Sequence, residues 1–157
     1  MGRHTRTVKH SSELIVQADP ARLTEVLADL GTYPSWNDLV TAAEPADPID
    51  GDPGPAWRTT LRAQVGPFSR SKQLRFARDQ MQDHEDHSTV RFIRRETDGR
   101  NHATWMMEAE VEPVAAISSV TLTLSYSGGL WIPALGGVLH SAIESATERL
   151  PAFLEQT

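Results

Sequence analysis

Acid–base chemistry in this chain would have to come from a few scattered side chains: His10, His102, His140, Arg70, Arg75 and Arg78. An arginine does such work when it is buried within hydrogen-bond reach of an oxygen that gains negative charge in the transition state. Phe68–Arg78 alternates so that Arg70 and Arg78 share a face with Leu74 and Phe76. On the other reading, these arginines lie with Arg62, Arg91 and Arg94 on a solvated outer face, where long charged chains belong. His140 falls on the flank of a helical apolar stripe, as a half-exposed structural histidine would. Asp83-His84-Glu85-Asp86-His87 has the composition of a metal site but reads as a solvated hairpin tip, because no partner cluster has ligand spacing. No metal or other cofactor is expected. There is no Gly-rich phosphate loop, no nucleophile elbow and no HExxH motif. The chain has no cysteine, which excludes thiolate nucleophiles, disulfides and Cys-ligated zinc.

The elements that must position these groups are mostly strands. Thr5–Gln17 alternates Val8, His10, Ser12, Leu14 and Val16 against a polar face. Asp19-Pro20 is a helix N-cap followed by proline at the first helical position, and Leu23, Val26, Leu27 and Leu30 give that helix its apolar stripe. Gly31 is expected to stop it. Tyr33-Pro34-Ser35-Trp36-Asn37 follows as a turn or second short helix. Leu39–Ala46 is a plausible strand, and Glu44–Ala56, rich in Pro, Gly and Asp, reads as a mobile loop. Further strands are expected over Trp57–Val65, Phe68–Arg78, Ser88–Arg95, Ala103–Val111 and, after Pro113, Val120–Tyr126. Thr97-Asp98-Gly99 is the strongest hairpin signal.

The last stretch, Trp131–Glu155, is a long amphipathic helix. Ile132, Leu135, Leu139, Ala142, Ile143, Ala146, Leu150 and Phe153 lie on one side of the wheel, opposite Ser141, Glu144, Ser145 and Glu148. Pro151 should kink it or restart it as a final turn. Gly128, Gly129, Gly136 and Gly137 flank its start, as turn and helix-entry residues or to widen an entrance. A single long helix needs a sheet to cover its apolar face, and a sheet of that extent must curl. A curled sheet leaves a gap beside the helix, where an apolar guest fits.

The 157 residues suffice for one domain, read here over 1–157; 39% are apolar and 23% charged, an ordinary soluble composition. The net charge of −6 disfavours non-specific attachment to nucleic acid or anionic membranes. The basic Met1–His10 lacks a signal-peptide core, and no apolar run approaches membrane-spanning length, so a cytoplasmic location is expected.

Asp19-Pro20, Leu27-Ala28-Asp29-Leu30, Tyr33-Pro34-Ser35-Trp36-Asn37 and the C-terminal Leu/Ala-rich helix together resemble the START-like (SRPBCC) superfamily, which includes polyketide cyclases/dehydrases and lipid-transfer proteins. The resemblance implies an α+β helix-grip fold. In it, a seven-stranded antiparallel curved sheet wraps around the long C-terminal helix, and two short helices follow the first strand. An apolar cavity is implied between them. Its expected walls are Trp57, Leu61, Phe76 and Phe92, then Trp105 and Met107, then Leu122, Leu124 and Tyr126. Leu135, Leu139 and Ile143 come from the helix. Alternatively, these side chains simply fill the core. Tyr33 and Trp36 would line the cavity mouth under a Glu44–Ala56 lid, or staple the short helices to the sheet. The implied partner is a hydrophobic or aromatic small molecule (polyketide, lipid or isoprenoid-like), carried or sensed by a monomer or homodimer without membrane insertion or nucleic-acid binding. A second reading is an aromatase/cyclase or dehydratase, a branch that polarises a polyketide carbonyl with an inward arginine. A third is an interaction subunit with a filled core and an apolar patch around Trp131 and Ile132.

Overall fold

A computed structural model describes residues 6–65, 67–84, 86–115, 117–128 and 135–156, leaving the side chains of Arg6 and Val65 aside. The elements run β1 (Arg6–Val16), α1 (Pro20–Ala28), a 3-10 helix (Leu30–Ser35), β2 (Val40–Ala46), β3 (Ala56–Val65), β4 (Phe68–Asp83), β5 (Ser88–Arg94), β6 (Thr104–Val114), β7 (Ile117–Gly128) and α2 (Leu135–Glu155). The seven strands form one antiparallel sheet in the order β1-β7-β6-β5-β4-β3-β2. This is the expected helix-grip arrangement.

Local chemistry sets most boundaries. The Asp19 carboxylate accepts from the Ala21 N–H, and Pro20 occupies the first turn, where its missing donor costs nothing. Gly31 does not stop α1. The helix ends at Ala28, and the Asp29 carboxylate accepts from the Gly31 N–H at 2.9 Å, starting the 3-10 turn that contains Gly31. Pro45 sits in β2, an edge strand, where a lost ladder donor is tolerated. β4 continues past Arg78 through a bulge to Asp83. β6 runs through Pro113 to Val114, because β5 pairing has already ended at Val111 and the proline nitrogen owes no bond on that side.

Helix α2 buries Leu135, Leu139, Ala142, Ile143, Ala146, Leu150 and Leu154. Phe153 is half-buried and Leu154, one turn beyond Leu150, takes the inner place. The helix passes through Pro151 without a break in its assignment. The five large side chains of this stripe contribute on the order of 10 kcal/mol, an upper figure against an extended unfolded chain. Gly129, Trp131 and Ile132 lie outside the described residues.

Register places inward residues in rows across the sheet, since directly paired residues share a face. One row runs Val8, Tyr126, Trp105, Arg94, Phe76, Trp57; Arg94 and Trp105 stand one step beyond the Ile93–Met106 pair. The next runs His10, Leu124, Met107, Phe92, Arg78. The third runs Ser12, Leu122, Ala109, Val90, Met81. A Cβ on Gly136 would lie 3.6 Å from His10 Nε2 and 3.9 Å from the Val8 methyl. The first turn of α2 therefore lies beside the β1 ends of the first and second rows, and Ile143 and Ala146 lie against Met107, Leu122 and Leu124 of the second and third.

Candidate functional site

The second and third rows are closed at their centres, though Met81 at the end of the third is exposed. Phe92 is fully buried and meets Tyr33 and Trp57 edge-on, with ring centroids 5.6 and 5.4 Å apart. Tyr33 and Trp36 pack inside the core with ring centroids 4.3 Å apart and planes tilted by 48°. The Tyr33 hydroxyl donates to the Leu27 carbonyl at 2.8 Å, and burial pushes its phenol above the ordinary range, with the Asp29 carboxylate adding to the effect. The Trp36 indole N–H donates to Thr32. Tyr33 and Trp36 thus staple the short helices to the sheet and do not frame an open mouth. The void beside them, bounded by Met107, Leu124, Ile143 and Ala146, measures about 10 Å³, room for one water at most. Among the described residues, the gap expected beside the helix is narrow at this level, where the aromatics Tyr33 and Trp36 pack in from the 3-10 turn.

The lid reading of the long β2–β3 connection also fails. β2 ends at Ala46 as expected and β3 starts at Ala56, one residue before the expected Trp57, leaving 47–55 as the loop. Arg75 grips the Asp52 carboxylate with both terminal nitrogens, at 3.0 and 2.7 Å, and donates to the Asp47 carbonyl. Arg95 Nε adds a third bond to Asp52 at 2.9 Å. The Asp52 carboxyl is held well below the usual carboxylate range, chiefly by the Arg75 hydrogen bond. Arg75 points away from Leu74 and Phe76, so the loop is tied to the outer side of the sheet.

The first row is different. It is an aromatic shelf with one cation in its middle. Arg94 lies in register with Phe76, and its side chain is 5% exposed. Its Nε donates to Glu96 at 2.9 Å and one terminal nitrogen reaches the Ala103 carbonyl at 3.4 Å. Among the described residues no partner is recorded for the other terminal nitrogen. Trp105 and Tyr126 meet edge-on at 5.1 Å, and Trp105 is half-buried while Phe76 is fully buried. A Cβ on Gly128 would collide with the Tyr126 hydroxyl at 2.5 Å and the Ala103 methyl at 2.8 Å. Glycine at 128 thus leaves room for the Tyr126 hydroxyl beside the Ala103 methyl.

The expected arginines are placed otherwise. Arg70 is exposed on a hairpin beyond the helix. Arg78 faces inward but donates to the Ala28 carbonyl at 2.9 Å, capping α1. Neither lies on the outer face; Arg62 and Arg91 do, bonded to Ser69 and Asp79. Arg94, grouped with them in the sequence reading, is the one that enters the shelf. His140 is exposed and meets His10 edge-on at 5.8 Å across the β1–α2 seam. His102 pairs with Asp98 in the β5–β6 turn. Of the expected walls, Trp57, Phe76, Trp105 and Tyr126 belong to the shelf, and Leu135 is buried in the first turn of α2. Leu61, Phe92, Met107, Leu122, Leu124, Leu139 and Ile143 are buried core. Among the described residues no group of three or more His, Cys, Asp or Glu side chains is placed to hold a metal, and no helix is long and apolar enough to cross a membrane.

A sheet closed around one C-terminal helix, with an inward aromatic row at the helix's N-terminal end, defines a START-like helix-grip protein. The family model for polyketide cyclase/dehydrase and lipid transport matches residues 7–155, and the chain belongs to that family. Among solved structures it is similar to a START superfamily protein from Mycobacterium smegmatis (16% identity, TM-score 0.67, covering 94% of this chain and 97% of that one). Human StAR-related lipid transfer protein 5 is 12% identical with a TM-score of 0.75, covering 94% of this chain and 76% of that one. Major latex-like protein 151 from Panax ginseng is 13% identical with a TM-score of 0.63, covering 94% and 97%. No curated protein sequence matches the chain.

Proposed function

We propose that the protein binds a hydrophobic or aromatic small molecule bearing one acidic or carbonyl group, as a carrier or sensor. The apolar body lies on the Trp57–Phe76–Trp105–Tyr126 shelf and the polar end meets Arg94. The observation that carries this reading is the inward Arg94, a largely buried cation in register with Phe76 on an otherwise aromatic row. Desolvating a guanidinium is costly, and a core that served packing alone would be better filled by an apolar residue. The family's lipid-transport description and the lipid-transfer name of the human neighbour support the same class of guest.

Matched ligands test the anchor: oleate and oleyl alcohol, followed by tryptophan fluorescence. Replacing Arg94 by Met is expected to weaken oleate about 10- to 100-fold, the worth of a charge-assisted hydrogen bond, and oleyl alcohol less than about threefold. Equal losses for both, or no saturable binding of either by the wild type, would overturn the reading. The placing of Arg94 and Tyr126 on one inward row favours one further reading, a cyclase or dehydratase in which Arg94 steadies an enolate oxygen and the Tyr126 hydroxyl donates a hydrogen bond to it. Turnover of an enolisable polyketide thioester that is lost in Tyr126→Phe, with binding retained, would identify it.

A further inference from the structure

We infer that the β3–β4 hairpin docks the protein on anionic lipid bilayers. β2 pairs with β3 no further than Leu61, apart from a backbone bond from Arg62 to Leu39, and β5 first pairs with β4 at Phe76. The pairs Arg62–Ser71, Ala63–Arg70, Gln64–Ser69 and Val65–Phe68 thus have no strand on either side. They form a two-stranded arm standing roughly 13 Å out of the sheet at the usual strand rise. Phe68, near its tip, is 66% exposed, more than the other large hydrophobics recorded as exposed. An aromatic at the end of a narrow projection is poorly placed to pack on its own domain and well placed to enter the boundary between headgroups and acyl chains.

The charge around it is sorted. Between Leu61 and Lys72 the chain carries Arg62, Arg70 and Lys72 and no Asp or Glu, although its total is −6. Arg70 and Lys72 share the face of Phe68, and Arg62 lies on the opposite face, bonded to the neutral Ser69 hydroxyl. Asp38, next to the strand base, is paired with Arg149. With a screening length of about 8 Å at physiological salt, a membrane under the tip meets the local cations and not the distant carboxylates. Negative lipid headgroups around an inserted phenylalanine match that pattern. Contact of this kind is peripheral and needs no spanning segment.

The test is partition of the full chain onto sedimented vesicles of 3:1 phosphatidylcholine:phosphatidylserine and of phosphatidylcholine alone. Binding is expected on the anionic vesicles, falling steeply between 50 and 300 mM salt as the screening length shortens. Arg70→Gln with Lys72→Gln should lower it about 25-fold, roughly fivefold per cation. Phe68→Ser should lower it about tenfold. Met81→Ser, at another exposed apolar residue, should leave it unchanged. Thermal melts of the variants should match wild type, since each site is exposed. Equal partition onto neutral vesicles, no partition, or unaltered binding by the Phe68 and double variants would overturn the inference. Retention of the arm on RNA or a protein in place of vesicles would do so as well.

Discussion

Asp52 governs how the Pro- and Gly-rich β2–β3 connection behaves. Its carboxylate joins Arg75, Arg95 and the Ile49 N–H, which turns a segment with a loop's composition into a clamped strap. Asp52→Asn should cost about 2 kcal/mol at neutral pH, a fall in melting temperature of roughly 5 °C. The folded-state carboxyl titrates below its ordinary value near 3.8, so the stabilisation is complete above that value. It fades as the pH falls through the folded-state value. Melts of both proteins should therefore differ by a constant amount from pH 7 to about pH 5 and converge below about pH 4. A gap that widens in acid would contradict this account. Composition alone could not reveal the strap, because its partners lie more than twenty residues away on another strand. Arg94 was more accessible: Val90, Phe92 and Arg94 are two apart, and strict alternation puts all three on one face. Reading the arginines as one outer group overrode that period. Arg78 followed the alternation, but its bond to the Ala28 carbonyl needed α1 in place.

The elements were legible wherever periodicity was clean. The antiparallel sheet, the N-cap at Asp19 and the long amphipathic α2 all follow from side-chain spacing. Boundaries were missed where tertiary pairing outweighs a local breaker. Pro113 lies past the last β5 pair, and the bulge after Arg78 lets β4 run five residues further. Within α2 the two halves are held differently. Arg149 joins Asp38 and the Ser35 carbonyl, and Arg22 donates to the Leu154 carbonyl, so the C-terminal half is fastened by polar bonds. The N-terminal half carries Gly136 and Gly137, and a Cβ at Gly137 would meet nothing within 4 Å. A helical glycine with open space costs roughly 0.5–1 kcal/mol relative to alanine. Gly137→Ala should accordingly raise the melting temperature by about 2–4 °C in a calorimetric scan. A loss of stability there would mean that the first turn of α2 departs from helical geometry.

At the scale of the molecule, the fold's interior is two regions under one helix. Where α1 and the 3-10 turn add Tyr33 and Trp36, sheet and helix close to a void of about 10 Å³. The first row, by contrast, carries Arg94 among aromatics, with Trp105 half-buried. On the proposed reading the guest would lie on the aromatic row, away from the polar bonds that hold the C-terminal half of α2. Two truncations separate these roles. Ile143→Ala, in the closed region, should cost about 2–4 kcal/mol and leave oleate affinity within about threefold. Leu135→Ala, in the first turn of α2, should cost less than about 3 kcal/mol, since first-turn surroundings collapse more readily, and change oleate affinity about tenfold. Chemical denaturation gives the first quantity and fluorescence titration the second. If Ile143→Ala were the variant that altered affinity, the guest would lie beneath the middle of α2, and the stapled aromatics would have to part to admit it.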